Sequence, residues 1–209
     1  MKPQMGDDDV EQALGEEILL PDGSWDRVRG RLVKRAVKED LVDVAYEMHE
    51  SPFGRLLVGA SDGGIVRVGL SAESEDEILE DLGRRISPRI IRTCRPEITS
   101  ARQQLDEYFA GERRHFDLKL DWQLTRGFRR QVLHATDGIP YGETRSYSAV
   151  ATEAGSPKAV RAAGSALANN PLPIVVPCHR VLRSDGNVGS YLGGTSMKEQ
   201  LLAMERSSG

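Results

Sequence analysis

The chain has 209 residues, two cysteines, four histidines and a formal net charge of −4 at pH 7. That length holds one or two small domains with a real core, and no apolar run is long enough to span a bilayer. Two cysteines exclude a disulfide framework, and without a CxxC or HxxxH pair the sequence argues against a structural zinc site. The charge is uneven: residues 123–209 carry ten Lys/Arg and six Asp/Glu, residues 1–122 eighteen and twenty-six. This fits a nucleic-acid-facing C-terminal half and equally fits an unevenly charged solvated surface.

Residues 1–41 read as an extension. Its acidic start, MKPQMGDDDVEQALGEE, lacks the apolar core of a signal peptide and has the composition of a disordered segment. A soluble cytoplasmic protein with reduced thiols is expected. Trp25, Val28, Leu32 and Ala36 recur at helical spacing and predict a helix over 25–41. From Val42 the pattern alternates through Val44, Tyr46 and Met48, a strand. GRLLVGA and IVRVGL flank Ser61-Asp62-Gly63-Gly64, a hairpin signal. SAESEDEILEDLGRRIS and PEITSARQQLDEYFAGE predict two amphipathic helices, the second stopped by Gly111. HFDLKL alternates and is expected as a strand. Residues 42–121 thus read as a small α+β domain without a catalytic constellation. Cys94, in RIIRTCRPE, reads as a passive thiol.

Residues 122–209 read as a second, mainly helical domain. Phe128, Val132 and Ala135 mark one helix, ended by the Pro/Gly turn Ile139-Pro140-Tyr141-Gly142. Ser146 caps YSAVATEA, Gly155 stops it, and Ser156 with Pro157 at the first position predicts the start of KAVRAAGSALA. Two short helices joined by a tight turn read as helix-turn-helix. The second is built from Ala159, Ala162, Ala163, Gly164, Ser165, Ala166 and Ala168, with Arg161 projecting. Such a surface can approach a narrow minor groove with one inserted arginine, or pack tightly as a core helix; the segment alone supports both.

LPIVV then reads as a short strand ended by Pro177, leaving Cys178 at a strand-to-turn junction. A thiol reacts as its thiolate, and the adjacent His179 is a base for its proton near neutral pH. In extended chain the two point to opposite faces, so a turn or bridging water is required. In TSMKEQLLAMERSSG, a Thr/Ser-capped helix, Met197, Leu201 and Glu205 share a stripe. A carboxylate on an apolar stripe needs a partner, and His179 is the candidate. RSDGNVGSYLGGT, with four glycines, reads as a pocket loop.

PIVVPCHRV, preceded by IPYGETRSY and followed by GNVGSYLGG and KEQLLAMERS, resembles the O6-alkylguanine-DNA alkyltransferases. The likeness runs from about Gly127 to Arg206 and more weakly through HESPFGRLLVGASDGGIVRV. It implies an α+β fold of two domains: a ribonuclease-H-like α/β domain and a helical domain with a winged-helix-like helix-turn-helix. It implies irreversible, single-turnover transfer of an alkyl group from duplex DNA to Cys178, by a monomer, with no cofactor and no metal. His179 and Glu205 match the network that activates the thiol through a water. Asn170 matches the residue that ties the turn behind the cysteine, and Tyr147 the donor to the departing guanine. Arg161 matches the arginine that fills the gap of the flipped base, with Ala159, Ala162 and Ser165 beside it on the DNA. Val181, Gly189, Ser190, Tyr191, Leu192, Gly193 and Pro173 match the guanine pocket. Leu192 departs from the small or polar residue of many relatives, which leaves the range of alkyl groups open; the sequence does not decide activity on O4-alkylthymine.

Three other readings fare less well. Alkyltransferase-like damage-binding modules lack the acceptor cysteine, which is present here. A sequence-specific regulator needs polar base readers that the alanine-rich helix does not offer. A cysteine hydrolase needs an oxyanion hole, for which no motif asks.

Overall fold

The computed structural model describes residues 24–207; the acidic start, expected as disordered, lies outside them. The helix α1 (Ser24–Lys38) belongs to a unit separate from the one that begins at Val42, and it agrees with the predicted helix.

In residues 42–209, β1 (Val44–His49), β2 (Leu56–Ser61), β3 (Gly64–Gly69) and β4 (Ile90–Arg92) form one sheet in the order β3-β2-β1-β4. The first three are antiparallel neighbours, and β4 runs parallel to β1. The hairpin forms around Asp62-Gly63. Gly64 (φ +123°) is required twice, by its positive φ and because a Cβ would meet the Lys119 carbonyl. Alternation sends Val44 and Leu57 to one face, where α2 (Glu75–Arg85) packs Ile78 and Leu82. Ala45, Leu56 and Val58 go to the other, where α3 (Pro96–Phe109) brings Ile98, Leu105 and Tyr108.

The helical lobe follows: α4 (Gly127–Asp137), α5 (Tyr147–Glu153), α6 (Val160–Ala168) and α7 (Gly194–Ser207), with β5 (Arg145–Ser146) pairing parallel to β6 (Val181–Leu182). Ser146 Oγ accepts from the Ala149 N–H, as its cap position predicts, and Gly155 (φ +80°) stops α5. The chain is an α+β protein with a helix-turn-helix in α5–α6.

Four local expectations are corrected. HFDLKL is no strand: only Leu120 bridges Ile65, because the Val68 N–H on the same β3 edge is taken by the Pro171 carbonyl. Its alternation still turns Phe116, Leu118 and Leu120 onto the core. Pro157 does not open α6; it lies in a turn closed by Ala159 N–H to Ser156 C=O, and the helix starts at Val160. LPIVV is no strand either, for reasons that belong to the site. Thr195 and Ser196 lie inside α7 rather than capping it, since Gly194 (φ +85°) already makes the turn. Conversely, β4 is too short and too flanked by charge for alternation to reveal it.

Candidate active site

The cysteine stands on a laced turn. Asn170 Oδ1 accepts from the Leu172 N–H (3.0 Å) while its Nδ2 donates to the Val176 carbonyl (2.9 Å), so one buried side chain ties both ends of residues 172–176. The Val176 N–H returns to the Leu172 carbonyl (2.8 Å). Ile174 is thereby held at φ +73°, a strained conformation for a β-branched residue and the reason LPIVV cannot be extended. Pro177 (φ −80°, ψ 63°) is the centre of an inverse γ-turn, across which the Cys178 N–H donates to Val176 C=O (2.8 Å). Cys178–Arg180 then form one turn of 3₁₀ helix. This supplies the turn that the adjacent cysteine and histidine require.

His179 and Glu205 are both fully buried and meet at 2.9 Å, His179 Nε2 to Glu205 Oε1. Burial lowers the histidine's proton affinity below its ordinary 6.5, against the pull of Glu205. A neutral ring with Nε2–H donating to the carboxylate leaves Nδ1 as the acceptor, and among the described residues Nδ1 has no hydrogen-bond partner. Glu205 gathers further donors: Arg180 Nε and Nη2 (2.9 and 2.8 Å), the Tyr108 hydroxyl (2.6 Å) and the Gly142 N–H (3.2 Å). Burial alone would raise its pKa, but the hydrogen bonds from His179 and Arg180 and the charge of Arg180 prevail and hold it well below the carboxylate range.

Both shifts act on stability in one direction. Below about pH 6.5 the unfolded chain binds a proton that buried His179 resists, and below about pH 4.5 it binds one that Glu205 resists. Urea midpoints are expected to fall steadily from about pH 7 to about pH 4, and the lower part of that fall to flatten in Glu205→Gln. A flat wild-type profile would show that the carboxylate is not held ionised.

Burial pushes the Cys178 thiol up to about 11, with Asn170 and Lys198 opposing. Lys198 is itself fully buried, donates to the Val181 carbonyl (2.6 Å) and lies 5.9 Å above the Tyr147 ring. Burial pulls it down to about 8, while Cys178 pulls it back up. The thiol therefore faces one buried cation, and a thiolate formed there is partly compensated.

Tyr147, whose ring Lys198 faces, also lines a pocket of about 370 Å³ with Val160, Gly164, Arg183, Ser184, Gly189 and Ser190. A Cβ on Gly164 would meet the Tyr147 ring only at an ordinary contact of 3.9 Å, whereas one on Gly189 would crowd the Tyr147 hydroxyl at 3.2 Å.

A family model described as "6-O-methylguanine DNA methyltransferase, ribonuclease-like domain" matches residues 44–122, and "6-O-methylguanine DNA methyltransferase, DNA binding domain" matches 127–207. The constitutive methylated-DNA–protein-cysteine methyltransferase of Bacillus subtilis is 42% identical over 164 residues, 78% of this chain and 96% of that protein. The chain belongs to the methylated-DNA–protein-cysteine methyltransferase family. The solved O6-methylguanine methyltransferase of Mycobacterium tuberculosis superposes with a TM-score of 0.67 at 35% identity, covering 79% of this chain and 94% of that one. The Mycobacterium tuberculosis OGT in complex with DNA gives 0.66 at 36% identity, covering 78% and 94%.

Set against the methyltransferase pattern, the expected pocket residues separate. Gly189 and Ser190 line the pocket with Tyr147, whereas Val181 is buried outside its lining and accepts from Lys198 Nζ through its carbonyl. Tyr191 turns inward, edge-on to His179 at 6.4 Å, with its hydroxyl unpartnered among the described residues. A Cβ on Gly193 would strike Met197 Sδ. Pro173 lies in the turn behind the cysteine, bridged to Val176. Leu192 faces a separate cavity of about 280 Å³ with Arg67, Arg85 and Asn170, and does not line the pocket that holds Tyr147. On α6, Ala163, Ala166 and Leu167 are buried while Arg161, Ala162 and Ser165 are exposed and Ala159 half-buried. One helix thus serves both as core and as a smooth outer surface. Arg161 has no ion-pair partner among the described residues.

Sequence reasoning missed Tyr108, Arg180 and Lys198. Arg180 was within PCHRV. Lys198 was legible as the residue that, with Leu202 one turn on, widens the buried arc of α7. Tyr108 lies 97 residues from Glu205 and carried no local signal.

Proposed function

We propose that this protein repairs O6-alkylguanine in duplex DNA by taking the alkyl group onto Cys178 Sγ, once per molecule, as a cytoplasmic monomer. The observation that carries the reading is the buried His179–Glu205 pair, with His179 Nδ1 left as an acceptor one residue from a strained, exactingly tied cysteine turn. In the proposed reaction His179 Nδ1 takes the thiol proton through a water. The thiolate, facing Lys198, attacks the alkyl carbon; the S–C bond forms as the O6–C bond breaks. Tyr147 donates to the guanine as charge develops on the ring. The thioether has no nucleophile beside it to reverse the step, hence a single turnover.

The alkyl group on O6 is out of reach inside a duplex, so the base is flipped at a cost of a few kcal/mol, less for a damaged pair. The pocket beside Tyr147 is where we place the flipped guanine. Ala162 and Ser165 let α6 approach the minor groove closely, and Arg161 fills the gap left in the stack. The test is mass spectrometry of the protein after incubation with a duplex carrying O6-methylguanine. The peptide containing Cys178 is expected to gain one methyl, stoichiometrically and with damaged DNA only. An unchanged mass in a protein that still binds the lesion would make the chain a damage-binding module.

A further inference from the structure

Alkyl transfer leaves α1 without a task. Its fifteen residues carry six Lys/Arg and one Asp, whereas residues 1–23 carry one Lys and seven Asp/Glu. The positive charge is concentrated on the helix within an otherwise acidic half. At helical spacing Arg27, Arg31, Lys34 and Lys38 fall on one ridge, about 16 Å long. Trp25, Val28, Leu32 and Ala36 fall elsewhere, with Trp25 and Leu32 64% and 62% exposed. Arg31, Lys34 and Lys38 have no ion-pair partner among the described residues.

A helix of fifteen residues is marginal alone, and Gly30, Val28, Val33 and Val37 weaken it further. An anionic surface that neutralises the ridge would stabilise it. Two surfaces offer that charge, a lipid bilayer and a nucleic acid. The position of Arg29 decides between them: it falls inside the apolar arc, between Ala36 and Val33, so a helix lying on lipid would press a guanidinium among acyl chains. A polyanion seated on the ridge makes no demand on Arg29.

We propose that the Arg27–Arg31–Lys34–Lys38 ridge of α1 binds the phosphate backbone of duplex DNA, a sequence-independent tether for the body that carries Cys178. The proposal rests on duplex DNA being the substrate. Phosphate contacts of this kind raise residence on undamaged DNA and leave chemistry at the lesion alone.

The test is fluorescence anisotropy of the full-length protein on an undamaged duplex over a range of salt, comparing wild type with the triple variant Arg31→Gln, Lys34→Gln, Lys38→Gln. Each lost phosphate contact lowers the slope of log affinity against log salt by about 0.9, so a drop of roughly 2–3 is expected, with at least about tenfold weaker binding at low salt. Trp25→Ala with Leu32→Ala should keep the wild-type slope, and methyl transfer at saturating damaged DNA should be the same in all three proteins. An unchanged slope in the triple variant overturns the tether. So does a triple variant that loses affinity for vesicles containing phosphatidylserine and none for DNA. Because slope is read on undamaged DNA and methyl uptake by mass, failure of the tether and failure of alkyl transfer are separate results.

Discussion

Cys178→Ala, given a duplex with O6-methylguanine, is expected to bind it and take up no methyl, while wild type is consumed mole for mole. The loss should be complete rather than partial. Cys94, the other thiol, is exposed and rests against the Thr99 hydroxyl at 3.0 Å, without a base or buried cation beside it. Folding should be nearly untouched. Burial holds the Cys178 thiol neutral at pH 7, so its removal deletes a small, uncharged group at a cost of about 1 kcal/mol. The turn keeps its ties, because the Asn170 bonds to the Leu172 N–H and the Val176 carbonyl do not use the thiol. Residual methyl uptake in the variant would move the acceptor to another residue.

The second large effect is at Glu205. Glu205→Ala leaves the Arg180 guanidinium buried beside the Ile139 carbonyl with its countercharge gone, and strands the Tyr108 hydroxyl and the Gly142 N–H. Breaking a buried pair in this way costs about 3–5 kcal/mol, which should appear as a fall in the denaturant midpoint at unchanged m-value. Transfer should also slow, by roughly 10²-fold or more, since the ring of His179 loses the acceptor that fixes its tautomer. Glu205→Gln separates the two effects. It keeps an acceptor for the ring and the shape of the site but not the charge facing Arg180, so stability should fall with less loss of rate than in the alanine variant. Equal rates in wild type and both variants would remove His179 and Glu205 from the chemistry.

The residues that the chain's own pattern made legible were those whose chemistry conflicts with their position. Glu205 stood on an apolar stripe, and Cys178 and His179 followed a proline; Asn170 was named only through the family resemblance. The α5–α6 pair announced itself through its cap and its glycine. What stayed hidden depended on partners distant in sequence. Tyr108 looked like any buried aromatic of an amphipathic helix, and only the fold brings its hydroxyl to Glu205. The two misread strands have different causes. HFDLKL is apolar enough for a sheet, but Pro171 takes part of the free edge of β3 and the segment gains no ladder. LPIVV is bent by the Asn170 ties, which hold Ile174 at positive φ. Leu192 and Pro173 were assigned to the pocket through the family resemblance; in the structure Leu192 lines another cavity and Pro173 lies in the turn behind Cys178.

The core of the protein ignores the boundary between its two matched family segments. One hydrophobic cluster runs from Leu56 and Val58 of the sheet through Leu105 and Tyr108 to Val150, Val176 and Leu201, and residues 42–209 form one compact unit. The ribonuclease-like half is therefore no detachable appendage. Cutting between α3 and α4 would open an apolar face on each fragment and withdraw the phenol that braces Glu205. The two halves should melt in a single transition, and a chimera that grafts the cysteine half onto a foreign α+β half would need a helix there to present a tyrosine at the position of Tyr108.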